Sequence, residues 1–215
     1  MEKYTNLKEM VYNAVLQDII SGKYQPGDIL NEKKLIEKYE VSKSPVRDAL
    51  ISLCADGIVR SIPRYGYEVI RLTHMDIYEM LQYREFLEGG ILQSSYKRFG
   101  PSEIATLKEL NRDCQRDDVD PVQHWHYNMD FHAKLMEFCG NEFITRNVKR
   151  CMSRLLRAYA QLYWNRRADR LLSFDTKHHE LIIADLERKD PEALLRDLKA
   201  DSTTSADLWA FEHLS

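Results

Sequence analysis

"VSKSPVRDALISL", residues 41–53, sets small polar and basic groups ahead of a single apolar stripe. Val46, Ala49, Leu50, Leu53 and Cys54 fall at i, i+3, i+4, i+7 and i+8, the spacing of one buried helix face. Pro45 suits the first helical position, where a missing N–H is harmless, and Ser44 before it is a natural N-cap. Arg47 lies off the stripe in the first turn, with Ser42, Lys43 and Ser44 just ahead of it. A helix buried on one side, with polar and basic groups gathered at its N-terminus, can enter a DNA groove end-first.

The flanking segments fit that use. Leu7, Met10, Val11, Ala14, Val15 and Ile19 share one face of a helix over 7–21. Gly22 can end it, and Pro26-Gly27 marks a turn. A second helix fits 31–39, with Asn31 as cap and Leu35, Ile36 and Tyr39 inward. Gly57 stops the Pro45 helix as a C-terminal glycine should. Beyond it, Ile58, Val59 and Ile62, then Tyr67, Val69 and Leu72, flank Pro63-Arg64-Tyr65-Gly66. That pattern is a β-hairpin with a basic, aromatic tip. Helix, helix, helix, hairpin is the order of a winged helix-turn-helix, with the third helix for recognition and the hairpin as wing.

From residue 73 the period becomes helical throughout. Thr73 and Asp76 form a capping box. Gly100-Pro101, Asp120-Pro121, Gly140-Asn141 and Asp190-Pro191 punctuate six helices: 73–99, 102–116, 121–139, 142–167, 173–189 and 191–212. The expected fold is mainly α: a winged helix-turn-helix DNA-binding domain over 1–72, then an all-α antiparallel bundle over 73–215.

The 215 residues carry a net charge of −3, so bulk charge lends DNA binding no support, although local charge is what matters. No apolar run approaches membrane-spanning length and the N-terminus lacks a signal-peptide core, which implies a cytoplasmic protein away from membranes. The four cysteines are scattered with no CxxC pair, so thiolate zinc is not expected.

"SGKYQPGDIL", "VSKSPVRDAL" and "DGIVRSIPRYGYEV" resemble the N-terminal domain of GntR-family transcription regulators. "YREFLEGGI", "DFHAKLMEFCGNEF" and "HHELIIADLERKDPEAL" resemble, more loosely, the FCD effector domain of the FadR subfamily. The resemblance implies a sequence-specific regulator, most often a repressor, that binds a palindromic double-stranded operator as a homodimer. It implies that Arg47 reads guanine O6 and N7. Ser42, Lys43 and Ser44 would touch phosphates or neighbouring bases, Lys33 the backbone, and Arg64, Tyr65 and Gly66 would form the wing tip. Gly66 would let the backbone come close. For Arg47 the alternative is a surface ion pair with Glu32 or Asp48; for Tyr65 it is packing on its own hairpin.

FCD domains commonly hold a divalent metal through D-x-x-x-H on one helix and a histidine on each of two later helices. On this chain those positions are Asn128, His132, His179 and Asp201, so two of the four depart from the pattern. The single carboxylate has moved to the last helix. Such a set, with a neutral amide and one fewer imidazole, implies a harder and weaker site for a divalent ion of the zinc, nickel or manganese kind. The alternative is a metal-free polar network. His124, one turn before Asn128, is a reserve ligand. Arg84 matches an arginine that faces the FCD ligand cavity, where a guanidinium beside a metal suits a small carboxylate effector. The alternative for Arg84 is an i, i+4 pair with Glu88. Tyr159, Tyr163 and Asn141 are further candidates for the pocket wall.

Two other function classes stand beside a ligand-controlled regulator. One is a helical metalloenzyme, against which count the missing H-E-x-x-H, phosphate loop and nucleophile elbow. The other is a regulator whose C-terminal domain only dimerises.

Overall fold

The structure, a computed structural model, describes residues 2–116, 118–163 and 168–210, with side chains over 7–116, 118–162 and 178–202. It divides into two compact units, one made of the residues up to Leu72 together with Tyr159–Leu162, the other of Thr73–Ala158 and the residues from Tyr163 on.

The first unit runs α1 (Glu2–Ile20), β1 (Ile29–Leu30), α2 (Glu32–Tyr39), α3 (Lys43–Ala55), β2 (Val59–Ile62) and β3 (Gly66–Val69). The stripe on α3 is buried as its spacing predicts, with Val46, Ala49, Leu50 and Leu53 at 0% exposure against Val11, Val15 and Leu35 of α1 and α2. Asn31 caps α2 by accepting from the Lys33 amide at 2.9 Å. Gly57, at φ 64°, closes α3 in a Schellman turn, with its amide bonded to the Cys54 carbonyl and that of Ile58 to the Leu53 carbonyl.

Two features differ from the expectation. α3 begins two residues early, with Ser42 at the N-cap position and Pro45 third in the helix. The amides of the first turn have no intrahelical partner, so proline is tolerated there too. Lys43 and Arg47 thereby become helical residues one turn apart on one face. The hairpin also gains a third strand: β1 pairs antiparallel with β3, giving the order β1-β3-β2.

Asp18 ties α1 to α2. Its buried carboxylate accepts from Lys38 at 2.5 Å, Lys23 at 2.9 Å and the Tyr39 hydroxyl at 2.9 Å. Burial pushes this carboxyl up, but the hydrogen bonds from Lys38, Lys23 and Tyr39 prevail and hold it below its ordinary value.

The second unit runs α4 (His74–Ser95), a 3₁₀ turn (Tyr96–Arg98), α5 (Pro101–Cys114), α6 (Pro121–Phe138), α7 (Glu142–Tyr163), α8 (Ala168–Arg188) and α9 (Pro191–Ala210). The sequence places the same six helices. α8 starts five residues before its expected start at 173, and the expected continuations of α7 to 167 and of α9 to 212 lie outside the described residues. Caps fix the starts. Thr73 and Asp76 form the expected capping box, Asp120 accepts from the amides of Val122 and Gln123, and Asp190 does the same for Glu192 and Ala193. Leu92, Leu107, Phe131, Leu135, Met152, Ile182 and Leu194 fill the core between the helices. Among the described residues, no helix is long and apolar enough to cross a membrane.

The Asp18 hub yields a stability prediction. Asp18→Asn lowers the unfolding free energy by about 2 kcal/mol at pH 7, since hydrogen bonds to a charged group are lost. A carboxyl whose pKa is depressed on folding stabilises the fold above its unfolded value near 3.8, and that contribution disappears as pH falls through the folded value. Urea unfolding at a series of pH values should therefore show wild type and variant converging below about pH 4.

Candidate functional site

Two regions carry chemistry, one in each unit. In the first unit a groove of about 540 Å³ opens between the start of α2, the start of α3 and the hairpin. Lys33, Lys43, Arg64, Tyr65 and Gly66 line it, so five residues singled out from sequence meet on one surface. Ser42, Ser44 and Arg47 are exposed at the start of α3 but do not line that groove. Tyr65 is 73% exposed at the hairpin tip, which removes the reading that it packs on its own hairpin.

Arg47 does make the ion pair weighed as its alternative, with Nε 3.8 Å from Glu32 Oε1, while its side chain stays 60% exposed. A pair this long and exposed is worth little and yields easily to a base or phosphate. Glu32 also accepts from the Tyr67 hydroxyl at 3.3 Å. The close backbone approach at Gly66 is internal. A Cβ there would lie 2.4 Å from the Leu30 carbonyl oxygen, and φ is 132°, so glycine is required for β1 to pair with β3.

In the second unit, His132 of α6, His179 of α8 and Asp201 of α9 are buried and offer ligand atoms that all lie within 4.8 Å of one another. Asn128 is buried one turn before His132 on α6. His124 is buried a turn earlier still, outside the three-residue group, and close enough to His179 to depress its basicity. Arg84 enters from α4 with only 3% of its side chain exposed. Its Nε donates to Glu88 Oε1 at 2.7 Å, and its Nη2 lies 3.1 Å from both ring nitrogens of His132 and 3.4 Å from Asp201 Oδ2. Arg84 thus makes the i, i+4 pair with Glu88 and also reaches His132 and Asp201.

Each histidine is held from behind. His132 Nδ1 lies 2.7 Å from Glu88 Oε2, and its Nε2 lies 3.1 Å from Asp201 Oδ2. His179 Nδ1 donates to Asn111 Oδ1 at 3.2 Å, and Phe131 stacks on its ring at 3.9 Å. The two Nε2 atoms thus both face the Asp201 carboxylate. His179 Nε2 and Asp201 Oδ1 face each other at 3.6 Å, and neither has a hydrogen-bond partner among the described residues. Buried polar atoms are almost always satisfied, so this pair marks a demand for a ligand. Two imidazoles and a carboxylate whose ligand atoms lie this close fit a divalent ion.

The electrostatics follow from burial and neighbours. Burial and Arg84 both lower the basicity of His132, yet Glu88 and Asp201 outweigh them and raise it to about 9. Burial holds His179 down at about 3, so it is a neutral ligand-type imidazole. Burial pushes Glu88 up, but Arg84 and His132 bring it to about 2. Asp201 is likewise pushed up by burial and pulled well below the usual carboxylate range by His132.

Sequence reasoning missed Glu88 as a site residue and Asn111 altogether. Glu88 had a signal in its i, i+4 spacing from Arg84; Asn111 had none. Asn141, a pocket-wall candidate, is used otherwise: its Oδ1 accepts from the Ile144 amide at 3.1 Å and caps α7. Tyr159 is buried, and the side chain of Tyr163 lies outside the described residues.

Residues 7–69 match the family described as "Bacterial regulatory proteins, gntR family", and residues 79–200 match the FCD domain. A relative in Bacillus subtilis (strain 168), an HTH-type transcriptional regulator named YdhC, is 24% identical over 198 residues, covering 90% of this chain and 86% of its own. The gluconate operon transcriptional repressor of Bacillus licheniformis is 29% identical, covering 84% of this chain and 75% of its own. Among solved structures, E. coli McbR/YncC shares the fold with a TM-score of 0.79 at 21% identity, covering 96% of this chain and 98% of that one.

The buried network makes a direct prediction. Arg84→Met leaves two buried carboxylates, Glu88 and Asp201, facing His132 as their one remaining cation and should lower stability by about 3–5 kcal/mol. Arg84→Lys should restore only part of this, because an ammonium cannot reproduce the fork geometry. Denaturant midpoints check both; a loss under about 1 kcal/mol for Arg84→Met would be the value for a surface pair.

Proposed function

The chain belongs to the gntR family of bacterial regulatory proteins and carries an FCD domain, and on that premise we propose that it is a transcriptional repressor released from DNA by a small carboxylate bound with a divalent ion. The observation that carries this reading is the pair of unsatisfied buried atoms, His179 Nε2 and Asp201 Oδ1, set beside a buried guanidinium.

The charge of the cluster supports a carboxylate. With His132 carrying the proton that Glu88 and Asp201 favour, the site holds two cations, Arg84 and His132, against two carboxylates, Glu88 and Asp201. A divalent ion that displaces the His132 proton would turn the net charge from zero to plus one, and one effector carboxylate would balance it. His132, His179 and Asp201 would hold the ion, with Asn128 beside them. The ion would supply Lewis-acid attraction for the carboxylate oxygens, and Arg84 would bind the same group by directional N–H donation. The Bacillus licheniformis relative is named for a gluconate operon, and gluconate is a carboxylate.

On the DNA side, α3 would enter the major groove with Arg47 toward guanine, while Lys33 and Lys43 bind phosphates from the rim of the groove between α2 and the hairpin. Ser42 and Ser44 would sit where the chain enters α3, and Arg64 and Tyr65 would lie along the minor groove. One copy reads a half-site, so two copies would read a palindrome. Effector binding would shift a population between DNA-competent and released forms, which requires differential affinity for the two. This chemistry is binding, and no residue of the cluster is assigned a catalytic step.

The test begins with an operator selected from a random duplex library by the full chain. Addition of manganese with citrate, gluconate or acetate should weaken operator binding, read by fluorescence anisotropy, by about 5- to 150-fold for at least one of them. No change with any carboxylate in the presence of metal contradicts the reading. On the same duplex, Arg47→Ala should lose about 1–3 kcal/mol of discrimination while binding to random DNA changes little; retained discrimination would remove Arg47 from base reading.

A further inference from the structure

We propose that Glu88 is the positioning residue of the buried site: one carboxylate holds both the guanidinium that grips the effector and the imidazole that binds the ion. This rests on the reading of the cluster as a seat for a metal and a carboxylate. The two oxygens of Glu88 are used separately. Oε1 accepts from Arg84 Nε and Oε2 faces His132 Nδ1, each at 2.7 Å, and the side chain is only 1% exposed. Arg84 keeps its terminal nitrogens for other partners, and His132 is turned so that Nε2 faces Asp201 at 3.1 Å.

The backbone under Glu88 is itself fixed. The next residue, Gly89, has no side chain where α4 meets α9; a Cβ there would lie 3.3 Å from Leu195 Cδ2. α9 also carries Asp201, so the helix contact that seats Glu88 sets the distance to the third ligand. The other histidine has a different kind of support. His179 leans on the neutral amide of Asn111, whereas His132 leans on a carboxylate. A carboxylate behind an imidazole makes it the stronger donor to a metal, and loss of such a partner typically weakens metal affinity about 10- to 100-fold. His132 should therefore be the ligand through which the site's affinity is set.

Cobalt(II), titrated into the full chain and read by its visible absorption, tests this. Glu88→Gln keeps the shape but not the charge. Glu88→Asp keeps the charge but is one methylene too short to reach both partners, and it serves if Glu88→Gln does not fold. Each should bind cobalt about 10- to 100-fold more weakly than wild type. A merely structural role is separated by the His132→Ala background. There, Glu88→Asp should add no loss beyond about twofold, because its effect passes through His132. An undiminished further loss on that background overturns the proposal. Cobalt affinity of Glu88→Asp equal to wild type overturns it while leaving the metal reading intact. Failure of wild type to bind cobalt overturns the metal reading and this proposal with it.

Discussion

Arg84, Glu88, His132 and Asp201 take charge out of water together, and the second unit is arranged around keeping that charge compensated. Each is at most 3% exposed at its side chain. An isolated ion at such a depth would be prohibitively unfavourable, so the partners must arrive with correct geometry from different helices. α4 brings Arg84 and Glu88 one turn apart, α6 brings His132, and α9 brings Asp201. His179 of α8 stays neutral beside them because burial dominates its surroundings. The helix caps at Thr73, Asp120 and Asp190 set the starts of α4, α6 and α9 and so place these residues at the same level in the bundle.

The first unit solves a different problem. Its core is apolar, and Asp18, the one buried carboxylate among its described residues, draws its partners Lys23, Lys38 and Tyr39 from the turn after α1 and from α2. That leaves Lys33, Lys43, Arg47 and Arg64 exposed on the surface. A net charge of −3 is thus compatible with a local basic face, since the negative charges lie elsewhere or are paired. Glu32, beside Arg47, is the one acid lining the groove, and its carboxylate is engaged by Tyr67.

Local patterns were legible in the sequence and long-range partners were not. The apolar period of α3 and the glycine that stops it needed only neighbouring residues. The start of α3 was misread because Ser42 and Ser44 are both plausible caps and proline is tolerated across the first turn. β1 escaped notice because it is two residues long and exists only by pairing with β3, some forty positions away. The ligand positions His132, His179 and Asp201 followed from family resemblance and the structure brings them together, while Asn128 is buried a turn before His132. The support that Glu88 and Asn111 give to the two histidines was not legible, because those histidines lie 44 and 68 residues distant. The sequence does not show that the space left by the missing side chain of Gly66 is taken by the Leu30 carbonyl, a contact that depends on β1 pairing with β3.

The account turns on whether the rearranged ligand set binds an ion. The direct measurement is elemental metal analysis of the full chain purified without chelator or affinity-tag histidines, beside Asp201→Ala. The account predicts close to one divalent ion per chain in the wild type and its loss in the variant. No metal in either protein, with the fold intact and divalent ions resupplied, would contradict it and would leave Arg84 as the resident cation of a closed polar network.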